Sequence, residues 1–179
     1  MPHAVVVLAD GFEEVEAVTV IDLLRRADIK VTALGLEGVE VRGAHDMWVR
    51  ADMMFRGFNE PFDALVLPGG GPGTKRMAAS TEMLELVKRS YEHGLLCAAI
   101  CAAPTVFAKA GILRGKKAVC YPGCEDKMDD ATVIEDAVAI DGNIITSRAA
   151  GTAIPFALEL ISALAGEETA ENVRSSILY

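Results

Sequence analysis

The cysteine at position 101 closes the apolar run "LLCAAICAAP", residues 95–104, three residues before a proline. Proline is at home in the first turn of a helix, so the run reads as a buried strand, Leu95 to Ile100, that bends directly into a helix with Cys101 at the bend. A nucleophile on so sharp a turn needs small residues two positions to either side, which is the physical content of the G-x-S-x-G elbow. Ala99 and Ala103 meet that need. At a helix amino terminus the dipole and the free amides favour a thiolate, which is the nucleophilic form of cysteine. Cys101 is therefore expected to be reactive, whereas Cys97, in mid-strand, reads as the small buried hydrophobe that free cysteine more often is.

Other segments carry groups able to support such a nucleophile. "EEVE", residues 13–16, puts three glutamates at a helix start, where acids are favoured by the dipole in any case. Periodicity does not choose among Glu13, Glu14 and Glu16. "PGGGPGTK", residues 68–75, resembles a phosphate loop but fits neither G-x-x-x-x-G-K-[ST] nor G-x-G-x-x-G, because Thr74 stands where the last glycine should be. Gly69 and Gly70 read first as a tight turn. Cys120 and Cys124 flank Tyr121 in "VCYPGCEDKM". Together with Cys97 and Cys101 they make two C-x-x-x-C pairs, but a pair split between a strand and an elbow is a poor tetrahedral frame for zinc. No metal is expected, and a redox role for Cys120 or Cys124 stays open. Arg148, in "TSRAAGT", is a candidate for binding a substrate carboxylate, against the commoner reading of a solvated loop arginine.

The elements that must position these residues alternate. "AVVVLAD" reads as a strand, and "EEVEAVTVIDLLRRAD" as a helix ending on Arg25 and Arg26. "KVTALGL" is a second strand, Val39 to Met54 a small hairpin or flap, and "FDALVLPGGGPG" a buried strand entering a glycine-rich loop. A helix from about Thr81 to His93, ended by Gly94, precedes the Leu95–Ile100 strand. "APTVFAKAG" closes a helix at Gly111; short strands follow near Ala118, Val133 and Val138, then the buried strand "NIITS" and the amphipathic helix "GTAIPFALELISALAG". Apolar strands alternating with helices imply a mainly parallel sheet covered on both faces. The expected fold is α/β, a flavodoxin-like (Rossmann-like) three-layer sandwich, in one domain over residues 1–179. Ligands of such sheets bind beyond the carboxyl ends of the strands, where Cys101 falls.

The motifs "LADGFEEVEAV", "VLPGGGPG", "AAICAAPT", "DKM" and "TSRAAGT", in that order and over nearly the whole chain, resemble the ThiJ/PfpI (DJ-one) superfamily, in particular its small branch that contains the Parkinson-disease deglycase. The resemblance implies a homodimer, a cysteine on a nucleophile elbow, here Cys101, and a glutamic acid reaching it from the first helix, here Glu16. It implies an oxyanion site made by the backbone amides of Gly70 and Ala102 with that of Cys101. A protonated Glu16 would hydrogen-bond the thiolate and draw the Cys101 pKa into the range of activated cysteines, ~3.5–7.5. Many relatives also place a histidine beside the cysteine; Tyr121 occupies that position here, and His3, His45 and His93 do not match it. Tyrosine, with a pKa of about 10, is a poor base at neutral pH. That weakens an amidase or peptidase reading, which needs proton delivery to a leaving nitrogen. The chemistry implied is a cofactor-free glyoxalase or deglycase acting on methylglyoxal-like aldehydes or their early adducts. The alternative is a redox-responsive stress or chaperone-like protein whose Cys101 is oxidised.

Composition limits the other classes. A net charge of −9 with interspersed signs gives no electrostatic reason to bind nucleic acid or anionic lipid. The first apolar run, Ala4 to Ala9, is too short for a signal-peptide core, and the longest, around Leu95 to Phe107, falls short of the ~20 residues that span a bilayer. Four cysteines without a secretion signal imply reduced thiols and a cytoplasmic protein. Trp48 and three methionines gathered in residues 47–55 read mainly as core packing, with a subunit interface as the explanation of the remainder.

Overall fold

The β-branched run His3–Leu8 forms β1, in which every residue is buried. The computed structural model, which describes residues 1–179, continues with α1 (Glu14–Arg26), β2 (Lys30–Gly35), β3 (Glu40–Arg42), β4 (Trp48–Arg50), β5 (Met53–Met54) and β6 (Ala64–Leu67). Next come α2 (Gly71–Ala79), α3 (Thr81–Glu92), β7 (Leu96–Ile100), α4 (Pro104–Lys109), β8 (Lys117–Ala118), β9 (Thr132–Val133), β10 (Val138–Asp141), β11 (Ile144–Ser147), α5 (Ala153–Ala165) and α6 (Glu167–Ser176).

Seven strands make the main sheet in the order β10-β11-β7-β6-β1-β2-β5, parallel throughout except for the edge pair β10/β11. Its five central strands run β2-β1-β6-β7-β11, the 2-1-3-4-5 order of flavodoxin-like sheets. Alternate residues of β1 explain why the strand is apolar on both sides. Ala4, Val6 and Leu8 join a cluster with Val20 and Leu24 of α1 and Phe156 and Ile161 of α5. Val5, Val7 and Ala9 join a second cluster with Met77 of α2, Met83 and Val87 of α3, and Phe107 of α4. The result is the α/β three-layer sandwich expected from the alternation of elements.

Two helices were not anticipated by the periodicity. α2 starts at Gly71, inside what reads as loop, with Pro72 in its first turn; it stops at Ser80, whose hydroxyl accepts the Met83 N–H at 3.2 Å and caps α3. α6 buries only Ala170 and Val173 and so carries no strong apolar stripe. The expected hairpin is β3/β4, paired Glu40 to Arg50. His3 proves structural: its ring nitrogens lie 2.8 Å from Pro61 O and from Thr32 Oγ1.

Candidate active site

The carboxyl ends of β1, β6 and β7, three neighbouring strands, deliver the first turn of α1, the glycine loop and Cys101 to one place. Cys101 has φ +66°, a conformation costing a non-glycine residue about 1–3 kcal/mol. Its neighbours hold it there. The Cys101 N–H donates to Ser147 O at 2.9 Å, and Cys101 O accepts the Tyr121 N–H at 2.7 Å. Ser147, buried at the end of β11, is itself fixed by donating from Oγ to Ala137 O at 2.8 Å and by a 2.7 Å contact with Thr152 Oγ1. Ala99 and Ala103 are fully buried, as the elbow requires.

Of the three glutamates at the start of α1, one reaches the cysteine. Glu14 turns to the hairpin, where its carboxylate accepts the His45 N–H at 2.6 Å and lies 2.8 Å from His45 Nδ1. Glu16 turns inward and is wholly buried. Its Oε2 accepts the Gly69 N–H at 2.7 Å, while Oε1 has no hydrogen-bond partner, and the carboxyl lies close enough to the Cys101 thiol for each to shift the other's titration. Gly69 makes this approach possible, since a Cβ there would lie 2.6 Å from both Cys101 Cβ and Glu16 Oε2. Gly70, at φ +92°, brings its amide to the sulfur.

Burial pushes the Glu16 carboxyl up to about 7, against the hydrogen bonds from Gly69 and Cys101. The thiol is also pushed up, to about 12, first by burial and then by the charge of an ionised Glu16; the amides of Gly70 and Ala102 pull the other way. The expected depression of the Cys101 pKa is thus not what this environment gives. The elbow is largely enclosed by buried side chains, and its acidic neighbour repels a thiolate whenever it is itself ionised. With the proton on Glu16 that repulsion disappears. The two groups titrate as a pair: one proton leaves near pH 7 and the second only near 12.

Other expected contributors are placed differently. The Cys101 amide, committed to Ser147 O, is not free for an oxyanion, which leaves Gly70 and Ala102 as the donors that face the sulfur. Tyr121 touches Cys101 through its backbone, but the residue is 48% exposed. Arg148 donates from its guanidinium to Glu135 O at 2.9 Å and lies close enough to Cys120 to favour that thiolate, so it is spent on the β9–β10 loop. The four sulfurs do not converge. The one group of side chains close enough to share a cation is Glu13, Glu14 and His45, whose ligand atoms lie within 4.8 Å of one another, and there Glu14 and His45 already satisfy each other. Sequence reasoning missed Ser147 as a clamp on the elbow, since a serine ending a strand has no distinguishing signal.

Residues 2–163 match the model of the DJ-1/PfpI family. The chain is 41% identical to the protein dj-1beta of Drosophila melanogaster over 98% of its own length and 96% of that protein, and 32% identical to a deglycase of Pyrococcus abyssi over 90% and 99%. Among solved structures it superposes on Drosophila melanogaster DJ-1beta with a TM-score of 0.96, covering 99% of this chain and 97% of that one. For oxidised Toxoplasma gondii DJ-1 the TM-score is 0.96 at 36% identity, covering 100% and 99%. A strained cysteine elbow facing a buried glutamic acid, in a chain alike from end to end, belongs to the DJ-1/PfpI family.

Proposed function

We propose that this chain is a cysteine-dependent, cofactor-free enzyme of the glyoxalase or deglycase type, acting on methylglyoxal-like α-oxoaldehydes or their early adducts through Cys101 and Glu16. The observation that carries the reading is the unpartnered Oε1 of a buried Glu16 beside the strained, partly exposed Cys101. The similarity to a protein named a deglycase supports the same class.

The chemistry balances with these groups alone. Sγ adds to the aldehyde carbon as the Glu16 carboxylate takes the thiol proton and passes it to the carbonyl oxygen, forming a hemithioacetal. During addition the negative charge on that oxygen is stabilised by the amides of Gly70 and Ala102. The Glu16 carboxylate then takes the C–H proton of the same carbon and returns it to the neighbouring carbonyl carbon, while the hydroxyl proton passes to the neighbouring carbonyl oxygen through the enediol between them. One carbon is oxidised to a thioester and the other reduced to an alcohol, so no external oxidant enters. Water cleaves the thioester, releasing a hydroxy acid and the thiol. Nothing in these steps needs a histidine at position 121.

Purified protein given methylglyoxal without glutathione is expected to form lactate, with turnover lost in Cys101→Ser. Clean stoichiometric oxidation of Cys101 without turnover would favour the redox-sensing reading instead. We also propose a cytoplasmic homodimer. Four free cysteines suit a reducing compartment, and no helix is long and apolar enough to cross a membrane. Val15 and Val18 on α1 and Met47 and Trp48 on the hairpin are each about half exposed or more, which suits a face covered by a second copy.

A further inference from the structure

Cys120 and Cys124 take no part in the chemistry above. Between them the chain makes a tight turn in which the Cys124 N–H donates to Tyr121 O at 3.0 Å. Pro122 holds the second position and Gly123 the third, at φ +91°, the type II pattern that calls for glycine there. The turn folds Cys124 back toward Cys120, and both side chains pack against the apolar cluster between the sheet and α2–α4. Cys101 packs against the opposite cluster. The two downstream sulfurs are near enough that a thiolate on one disfavours a thiolate on the other. Their exposure is unequal: Cys120 is buried at 4%, while Cys124 is partly open.

We propose that Cys120 and Cys124 form an intramolecular disulfide on exposure to hydroperoxides, independently of Cys101. The accessible Cys124 is oxidised first. Its sulfur attacks the distal peroxide oxygen, the O–O bond breaks, an S–O bond forms, and the departing alkoxide or hydroxide takes the thiol proton. Cys120 then attacks the Cys124 sulfenic acid; the S–S bond forms, the S–O bond breaks, and hydroxide leaves as water with the Cys120 proton. The hydroperoxide gains the two electrons that the sulfurs lose. The turn doubles the chain back between the two cysteines, and a disulfide needs its Cα atoms brought within about 7 Å. The Tyr121 amide inside the bridged segment holds Cys101 O at 2.7 Å, so the bridge ties down a contact that maintains the elbow. None of this depends on which reaction Cys101 performs.

Tryptic cleavage places Cys120 and Cys124 together on residues 118–127, and Cys97 and Cys101 together on residues 90–109. The full chain, as Cys101→Ser, is treated with hydrogen peroxide, capped with N-ethylmaleimide, and digested. Maleimide-reactive thiols should fall from three to one, since four free cysteines less Cys101 leave three and the bridge removes two. The 118–127 peptide should be unlabelled and lighter by two hydrogens. Cys124→Ser should leave Cys120 labelled, and Cys120→Ala should leave a Cys124 sulfenic acid that dimedone captures. Labelling of both cysteines after oxidation, oxygen added to Cys124 with Cys120 still present and labelled, or a cross-link between the two peptides would overturn the proposal.

Discussion

Glu16 has one oxygen bonded to the Gly69 amide and one without a partner, and its proton links stability to reactivity. Its folded pKa lies above the ordinary 4.5, so the native state holds an extra proton between about 4.5 and about 7. The stabilisation is complete below that window and is lost as pH rises through it. At about 1.4 kcal/mol per pH unit, the step from 4.5 to about 7 amounts to roughly 3 kcal/mol. Urea unfolding should therefore show wild type losing roughly this much relative to Glu16→Gln as pH rises across the window; parallel curves would refute the assignment. Reactivity should follow the same proton. Iodoacetamide alkylation of Cys101, in a chain lacking the other three thiols, should still be climbing above about pH 9, because burial and then the ionised Glu16 disfavour the thiolate. Glu16→Leu should remove that repulsion and raise the alkylation rate in alkaline solution, while stranding the Gly69 N–H at a cost of about 1–3 kcal/mol. A wild-type rate that levels off near neutral pH, or one indifferent to Glu16→Leu, would separate the two residues.

The ends of three strands must meet within van der Waals distance, and the element that allows this is the turn after β6. Gly69→Ala puts a methyl 2.6 Å from Cys101 Cβ and from Glu16 Oε2. Overpacking of that kind costs about 1–3 kcal/mol, and calorimetry together with slowed alkylation should register both the strain and the displaced thiol. A melting temperature and alkylation rate equal to wild type would mean that the loop has slack. Much of this arrangement was legible in the chain. The apolar strands read as buried because both sheet faces are covered, and the cysteine before Ala102, Ala103 and Pro104 announced the elbow. Which glutamate faces it was not legible from spacing, since Glu14 and Glu16 are both buried and differ only in what lies beyond them, the hairpin or the sulfur. α2 was hidden for a related reason: a glycine-rich stretch reads as loop, yet Gly70 at φ +92° acts as its cap. The raised thiol escaped as well, because a helix amino terminus is visible in sequence and the burial around it is not.

Across the whole molecule, Val15, Val18, Met47 and Trp48 leave apolar surface on the face formed by α1 and the β3/β4 hairpin, with Val18 and Val49 sharing one hollow. Light scattering coupled to sizing should give a dimer at micromolar concentration, and Val18→Asp should shift it to monomer with little change in secondary structure, since Val18 is 48% exposed. A wild-type monomer would remove that face from consideration. The order of the central strands has a kinetic consequence too. Glu16, Gly69 and Cys101 follow β1, β6 and β7, and the bond from Gly69 to Glu16 alone spans 53 positions of chain. Parallel strands joined through helices pair late, because loop closure must precede the contacts that reward it. No local segment can rehearse the site. During refolding the chain passes through compact forms in which Cys101 is an ordinary thiol, and its altered reactivity toward a pulse of alkylating agent arrives with the last strands to register, so the active cysteine clocks completion of the sheet.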